Sequence, residues 1–144
     1  MSASVQVSEL IARPVTAVFQ FHATEHVRNH PRWDPYMRLE QQTEGPIRVG
    51  TIIKRTNSRS GSPITGTMEV TEFQPDRSMA MRVVDGGLEM DAKATYEADG
   101  PERTRITVRV ELPGMDATMD MSEFAGGIQA SLRAIKRLLE SEAV

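Results

Sequence analysis

The chain predicts an α+β domain: a curved, seven-stranded antiparallel sheet wrapped around one long C-terminal helix, with two short helices between the first and second strands. Three observations carry this expectation. In Met79 to Val83, Leu88 to Tyr96 and Ile106 to Leu112 one parity is apolar and the other mostly charge or threonine, the pattern of strands with one wet face. Asp85-Gly-Gly87 and Asp99-Gly-Pro101 separate those strands by connections too short for a parallel crossover. Phe124, Ile128, Leu132, Ile135 and Leu139 recur at steps of three and four, with Arg133, Lys136, Arg137 and Glu140 mostly on the other side.

In chain order, Val5 to Ile11 alternates as a first strand. Pro14 suits a first helical position, lacking an amide hydrogen and having a fixed φ, and Val15, Val18, Phe19 and His22 continue at helical spacing to about Ala23. A second short helix stops at a proline and presents Trp33, the only tryptophan. Met37 to Glu44, Val49 to Asn57 and Thr65 to Phe73 are the next strands, divided by Glu44-Gly-Pro46 and the polar loop Ser58 to Pro63. Three stronger strands and the terminal helix complete the count.

A chain of 144 residues is most simply one domain, 1–144, burying about 70% of the surface its unfolded form exposes. The formal net charge of −3, without a basic run or stripe, argues against nucleic acid or an anionic membrane surface as partner. The absence of cysteine excludes disulfides, thiol catalysis and thiolate metal sites. No leader-like segment or stretch of membrane-spanning length stands out, so a cytoplasmic location is expected. Nucleotide loops, dinucleotide fingerprints, Gly-x-Ser-x-Gly and His-Glu-x-x-His are all missing, and no cofactor is expected.

Two segments carry a family resemblance: Ile11-Ala-Arg-Pro-Val-Thr-Ala-Val-Phe19 and His26-Val-Arg-Asn-His-Pro-Arg-Trp-Asp-Pro35. They resemble the opening of the START-like superfamily (SRPBCC), the Bet v 1-like and polyketide cyclase/dehydrase-like domains, in which I-x-A-P-x-x-V-F precedes N-x-P-x-W-D-P. The element order also matches that superfamily's helix-grip fold over essentially the whole chain. The resemblance implies an internal cavity between sheet and helix.

The residues fit such a cavity. Ala92 and Ala94 are small at inward parity, while Met68, Met79, Met81 and Met90 share that parity and offer flexible, polarizable walls; an irregular methionine-filled core is the bland alternative. Met119, with Met115 and Met121, lies where the chain meets the terminal helix. The expected lining is Trp33, Tyr36, Met68, Met79, Met81, Met90, Tyr96, Met119, Phe124 and Ile128. Trp33 corresponds to the tryptophan that usually packs at the cavity wall in the superfamily, and Tyr96 is the best candidate for a polar ligand contact, since a buried hydroxyl needs a partner.

His22, His26 and His30 are spaced by four, but Pro31 disfavours helix at His30, so the rings are not expected to converge and no metal site is expected. His26 stands where family members often carry aspartate, and could act as a general base if its ring faced the cavity. Glu9, Glu72 and Arg55 share inward parity near strand ends, where they must be paired or hydrated.

Three functions follow. The first is binding of a small hydrophobic molecule such as a lipid, polyketide or aromatic metabolite. The others are a polyketide cyclase or dehydratase reaction in the same cavity and a co-chaperone-like interaction module; a homodimer is the one self-assembly to consider. Two structural expectations accompany them. Gly126-Gly127 should start or interrupt the long helix near the cavity mouth, because each glycine costs about 1 kcal/mol inside a helix. The strands flanking Asp99-Gly-Pro101 should pair with opposed numbers summing to 200, which sets Glu97 against Arg103 and Asp91 against Arg109.

Overall fold

A computed structural model describes residues 2–141. Its elements are β1 (Ser2–Ile11), α1 (Val15–Phe19), a π-helical turn (Gln20–Thr24), α2 (His26–Trp33), β2 (Met37–Gln41), β3 (Ile52–Asn57), β4 (Ile64–Gln74), β5 (Ser78–Asp85), β6 (Leu88–Ala98), β7 (Thr104–Asp116) and α3 (Ser122–Ser141). All seven strands form one antiparallel sheet in the order β1-β7-β6-β5-β4-β3-β2. The parity read from the sequence points Met79, Met81 and Val83 of β5 and Ala94 and Tyr96 of β6 into a core shared with Leu132, Ile135 and Leu139 of α3. Helix α3 packs most extensively along β1, where Lys136 Nζ donates to the Leu10 carbonyl and Glu140 accepts from the Ala12 amide. Among the described residues no helix is long and apolar enough to cross a membrane.

The expected β6–β7 register is wrong by two. Opposed residues sum to 202, so Lys93 faces Arg109 and Asp91 faces Glu111. The turn sets this pairing: the Asp99 amide donates to the Arg103 carbonyl at 2.8 Å, and Gly100 between them has φ +87°, a conformation natural to glycine. Cross-strand charge pairs are worth about 0.2–1 kcal/mol each, too little to outweigh turn geometry when other partners are at hand. Those partners exist, since Arg82 reaches Asp91 at 3.4 Å, Lys93 reaches Glu72 at 3.1 Å and Arg109 reaches Glu111 at 3.3 Å. A shift of two preserves parity, so Tyr96 still faces inward, opposite Ile106.

Two further expectations are corrected. Helix α3 runs through Gly126 and Gly127 without a break and begins at Ser122, so the glycines neither start nor interrupt it. A β-bulge at Thr71 turns Glu72 outward, opposite Ala80, where it accepts from the Ser78 hydroxyl and meets Lys93. Glu9 does keep its inward parity, opposite Ile106, and accepts from Gln129 of α3 at 3.2 Å.

Candidate functional site

The inner wall of the sheet is not closed evenly by α3. Leu132, Ile135 and Leu139, in the second half of the helix, are buried, whereas Phe124 and Ile128 in the first half are only partly buried. On the facing sheet Met90, Ala92 and Val108 are likewise partly buried although they point inward. The small side chains of Ala92 and Ala94 at the centre of β6 keep the wall low there. Both the first half of α3 and this part of the sheet thus carry apolar side chains that are only partly buried.

A file of polar rings lies at the deep end of this wall. The π turn, in which the Glu25 amide donates to the Gln20 carbonyl at 2.9 Å, adds one residue per turn and leads directly into α2. Pro31 is accommodated inside an eight-residue helix, contrary to the expectation that it would disfavour helix at His30, and the three histidine rings lie side by side. Their ring centroids are 5.6 Å apart for His22 and His26 and 4.7 Å apart for His26 and His30, with Trp33 stacked on both His22 and His30. They form a hydrogen-bonded row and do not converge on a point: no group of three or more His, Asp or Glu among the described residues is arranged to hold a metal.

The partners in this row fix the proton positions. The His22 carbonyl can only accept, so His26, 2.7 Å away, carries its hydrogen on Nδ1. Burial first, and the Arg55 charge after it, lower the His26 pKa to about 4 against the opposing pull of that carbonyl. Neutral His26 then has a bare Nε2 that accepts from His30 Nδ1–H at 3.0 Å, and burial holds His30 well below its ordinary range too. His22 Nδ1 lies 2.6 Å from the Tyr96 hydroxyl and is its one partner among the described residues; the phenol donates and His22 keeps its hydrogen on Nε2. Burial, then the neighbouring His26, lower the His22 pKa to about 3, while burial raises that of Tyr96. Neither His22 Nε2 nor His30 Nε2 has a hydrogen-bond partner among the described residues, and neither is sealed from solvent. The row therefore offers a donor at one ring and an acceptor at another.

Beside the histidines sits a buried ion pair. Arg55 Nε and Nη2 donate to Asp85 Oδ1 and Oδ2 at 2.8 and 2.7 Å, and both side chains are more than nine-tenths buried. The two residues lie on β3 and β5, with Gly66 of β4 between them in register. A Cβ at Gly66 would stand 1.8 Å from the Val84 carbonyl oxygen and 2.8 Å from Asp85 Oδ1, so only glycine lets the bridge cross that strand. The parity of Arg55 was legible; its partner was not.

Of the expected lining residues, Met68, Met79, Met81, Tyr96 and Trp33 are buried in the common core, while Met90, Phe124 and Ile128 border its open part. Tyr36 and Met119 stand apart from that core. Both are about half exposed, and Tyr36 lies under the Arg59 guanidinium, which is itself held by Asp34 at 2.6 Å. Two hollows of about 460 and 140 Å³ are bordered mainly by outward-facing side chains, the first by Ala80, Asp91, Lys93, Arg109 and Glu111 together with Met81 and Ala92, the second by Arg38, Glu40 and Lys54.

Solved structures with this fold are diverse. The chain is similar to Ara h 8.0201 (18% identity, 99% of this chain and 100% of that one, TM-score 0.78) and to a ginseng major latex-like protein from Panax ginseng (13%, 95% and 97%, 0.77). It is also similar to the Zhui aromatase/cyclase from a Streptomyces species (17% identity, 99% and 98% covered, TM-score 0.77). At these identities the likeness establishes the fold, the helix-grip architecture of Bet v 1-like proteins. No curated protein matches the sequence. Residues 2–140, nearly the whole chain, match one family model, and with the shared fold they make this protein a member of the polyketide cyclase/dehydrase and lipid transport family.

Proposed function

We propose that the chain binds a small, largely apolar molecule between the inward faces of β5–β7 and the first half of α3, with the His22–Tyr96 pair as its polar contact. The observation that carries this reading is the half-burial of Met90, Ala92 and Val108 on the sheet and of Phe124 and Ile128 on α3, beside the buried core of Met79, Met81, Tyr96 and Leu132. Apolar surface left partly wet gains about 25 cal/mol per Å² when a ligand covers it. The methionines suit a ligand of variable shape, such as a lipid, a polyketide or an aromatic metabolite.

Catalysis is the second reading, favoured by the short Tyr96–His22 hydrogen bond. Magnitude puts it behind binding: an efficient general base has a pKa near the working pH, and those of His22 and His26 lie near 3 and 4. The test is native mass spectrometry of protein purified from its own host, together with titration of an apolar fluorescent probe followed through Trp33. A retained small molecule, and a probe affinity weakened at least about tenfold by Ala92→Phe, are the expected results. Probe binding unaffected by Ala92→Phe would place the ligand elsewhere.

A further inference from the structure

The structure assigns a second copy of this chain as the partner of the free edge of β1. The orientation of that edge follows from the pairing of its neighbours. Because Asp99 and Arg103 form a hydrogen-bonded pair, the odd-numbered residues of β7 bond to β6 and the even-numbered ones bond to β1. Val5, Val7 and Glu9, opposite Val110, Val108 and Ile106, therefore direct their amides and carbonyls to β7. Ser4, Gln6 and Ser8 direct theirs to the outside, as does Leu10, whose carbonyl takes Lys136 Nζ and whose amide meets Glu9 Oε1. The backbone groups of Ser4, Gln6 and Ser8 have no partner among the described residues.

This edge lacks the features that normally keep a strand from pairing. It carries no lysine, arginine or proline from Ser2 to Ile11, and its single charge, Glu9, is turned inward to α3. The opposite edge, β2, is only five residues long and carries Arg38 and Glu40. The β1 edge is also self-complementary. About a two-fold axis through Gln6, antiparallel pairing sets Ser4 against Ser8 of the second copy and Gln6 against its own equivalent, forming about six main-chain hydrogen bonds. The same pairing sets Val5 against Val7 of the second copy on the inner face and meets no like charge. Symmetric closure of this kind yields a dimer and leaves no further edge of that type.

Sedimentation across a dilution series tests the assignment. The chain should pass from its 16.0 kDa monomer to twice that mass as concentration rises, and the amides of Ser4, Gln6 and Ser8 should gain protection from hydrogen exchange in step. Gln6→Pro removes an outward donor without touching the β7 ladder, and should leave a folded monomer over the same range. Gln6→Lys places two like charges at the axis and should do the same, which decides the matter if the proline variant fails to fold. A wild-type chain that stays monomeric at every concentration, or a dimer that survives Gln6→Lys, overturns the assignment.

Discussion

Acid should destabilise this protein between pH 7 and 5, before its carboxylates matter. His22 and His26 are neutral and buried, with pKa values lowered from 6.5 to about 3 and about 4. In the unfolded chain both return to 6.5 and take up protons that the native state refuses. Their contribution is thus fully present above pH 6.5 and is lost as pH falls through 6.5 towards 4 and 3. At pH 5 the unfolded state gains about 1.36 kcal/mol for each pH unit below 6.5, or about 2 kcal/mol per histidine and about 4 kcal/mol for the two. Against a total of about 5–15 kcal/mol for a domain, that is a large share. Glu72, held low by the Ser78 hydroxyl and Lys93, acts only below its ordinary 4.5 and stays outside the window. Urea unfolding at pH 7.5, 6 and 5, followed through Trp33, which stacks on His22 and His30, measures the effect directly. A flat stability from pH 7 to 5, or an equal loss in the His22→Gln, His26→Gln double variant, would refute the reasoning.

Asp85→Ala should cost about 3–5 kcal/mol, because it strands the buried Arg55 guanidinium, and replacing both residues by apolar ones of similar volume should recover most of that loss in denaturant titrations. The glycines should separate sharply in thermal melts. Gly66→Ala forces β4 from β5 and should destabilise by about 1–3 kcal/mol or more, whereas Gly126→Ala and Gly127→Ala, with open space around them inside a helix, should each stabilise by about 1 kcal/mol.

The fold was legible because it rests on local rules repeated many times. Alternation fixed the faces of β5, β6 and β7, a step of three and four fixed the stripe of α3, and short glycine turns allowed only antiparallel neighbours. Strand starts were less legible: β1 begins three residues earlier than its alternation suggested, and β3 starts only after Gly50, whose φ is +94°. Parity and motif marked Met68, Met79, Met81, Trp33 and Tyr96, which the structure buries in the core, but the histidine row was missed. Spacing by four was noticed; what joined the rings was a π turn, a single-residue change in helical pitch that carries no compositional signature.

The sequence by itself determined which side chains point inward, since parity and helical phase are properties of the chain next to each residue. Tertiary structure alone decided which inward groups meet. Arg55 finds Asp85 only because β4 brings a glycine between their strands, His22 finds Tyr96 only because α1 lies against β6, and the β6–β7 register follows a turn that outweighs the charges beside it. Each of these contacts joins residues distant in sequence, or balances energies of about 1 kcal/mol, and neither is fixed until the sheet has closed over its helix.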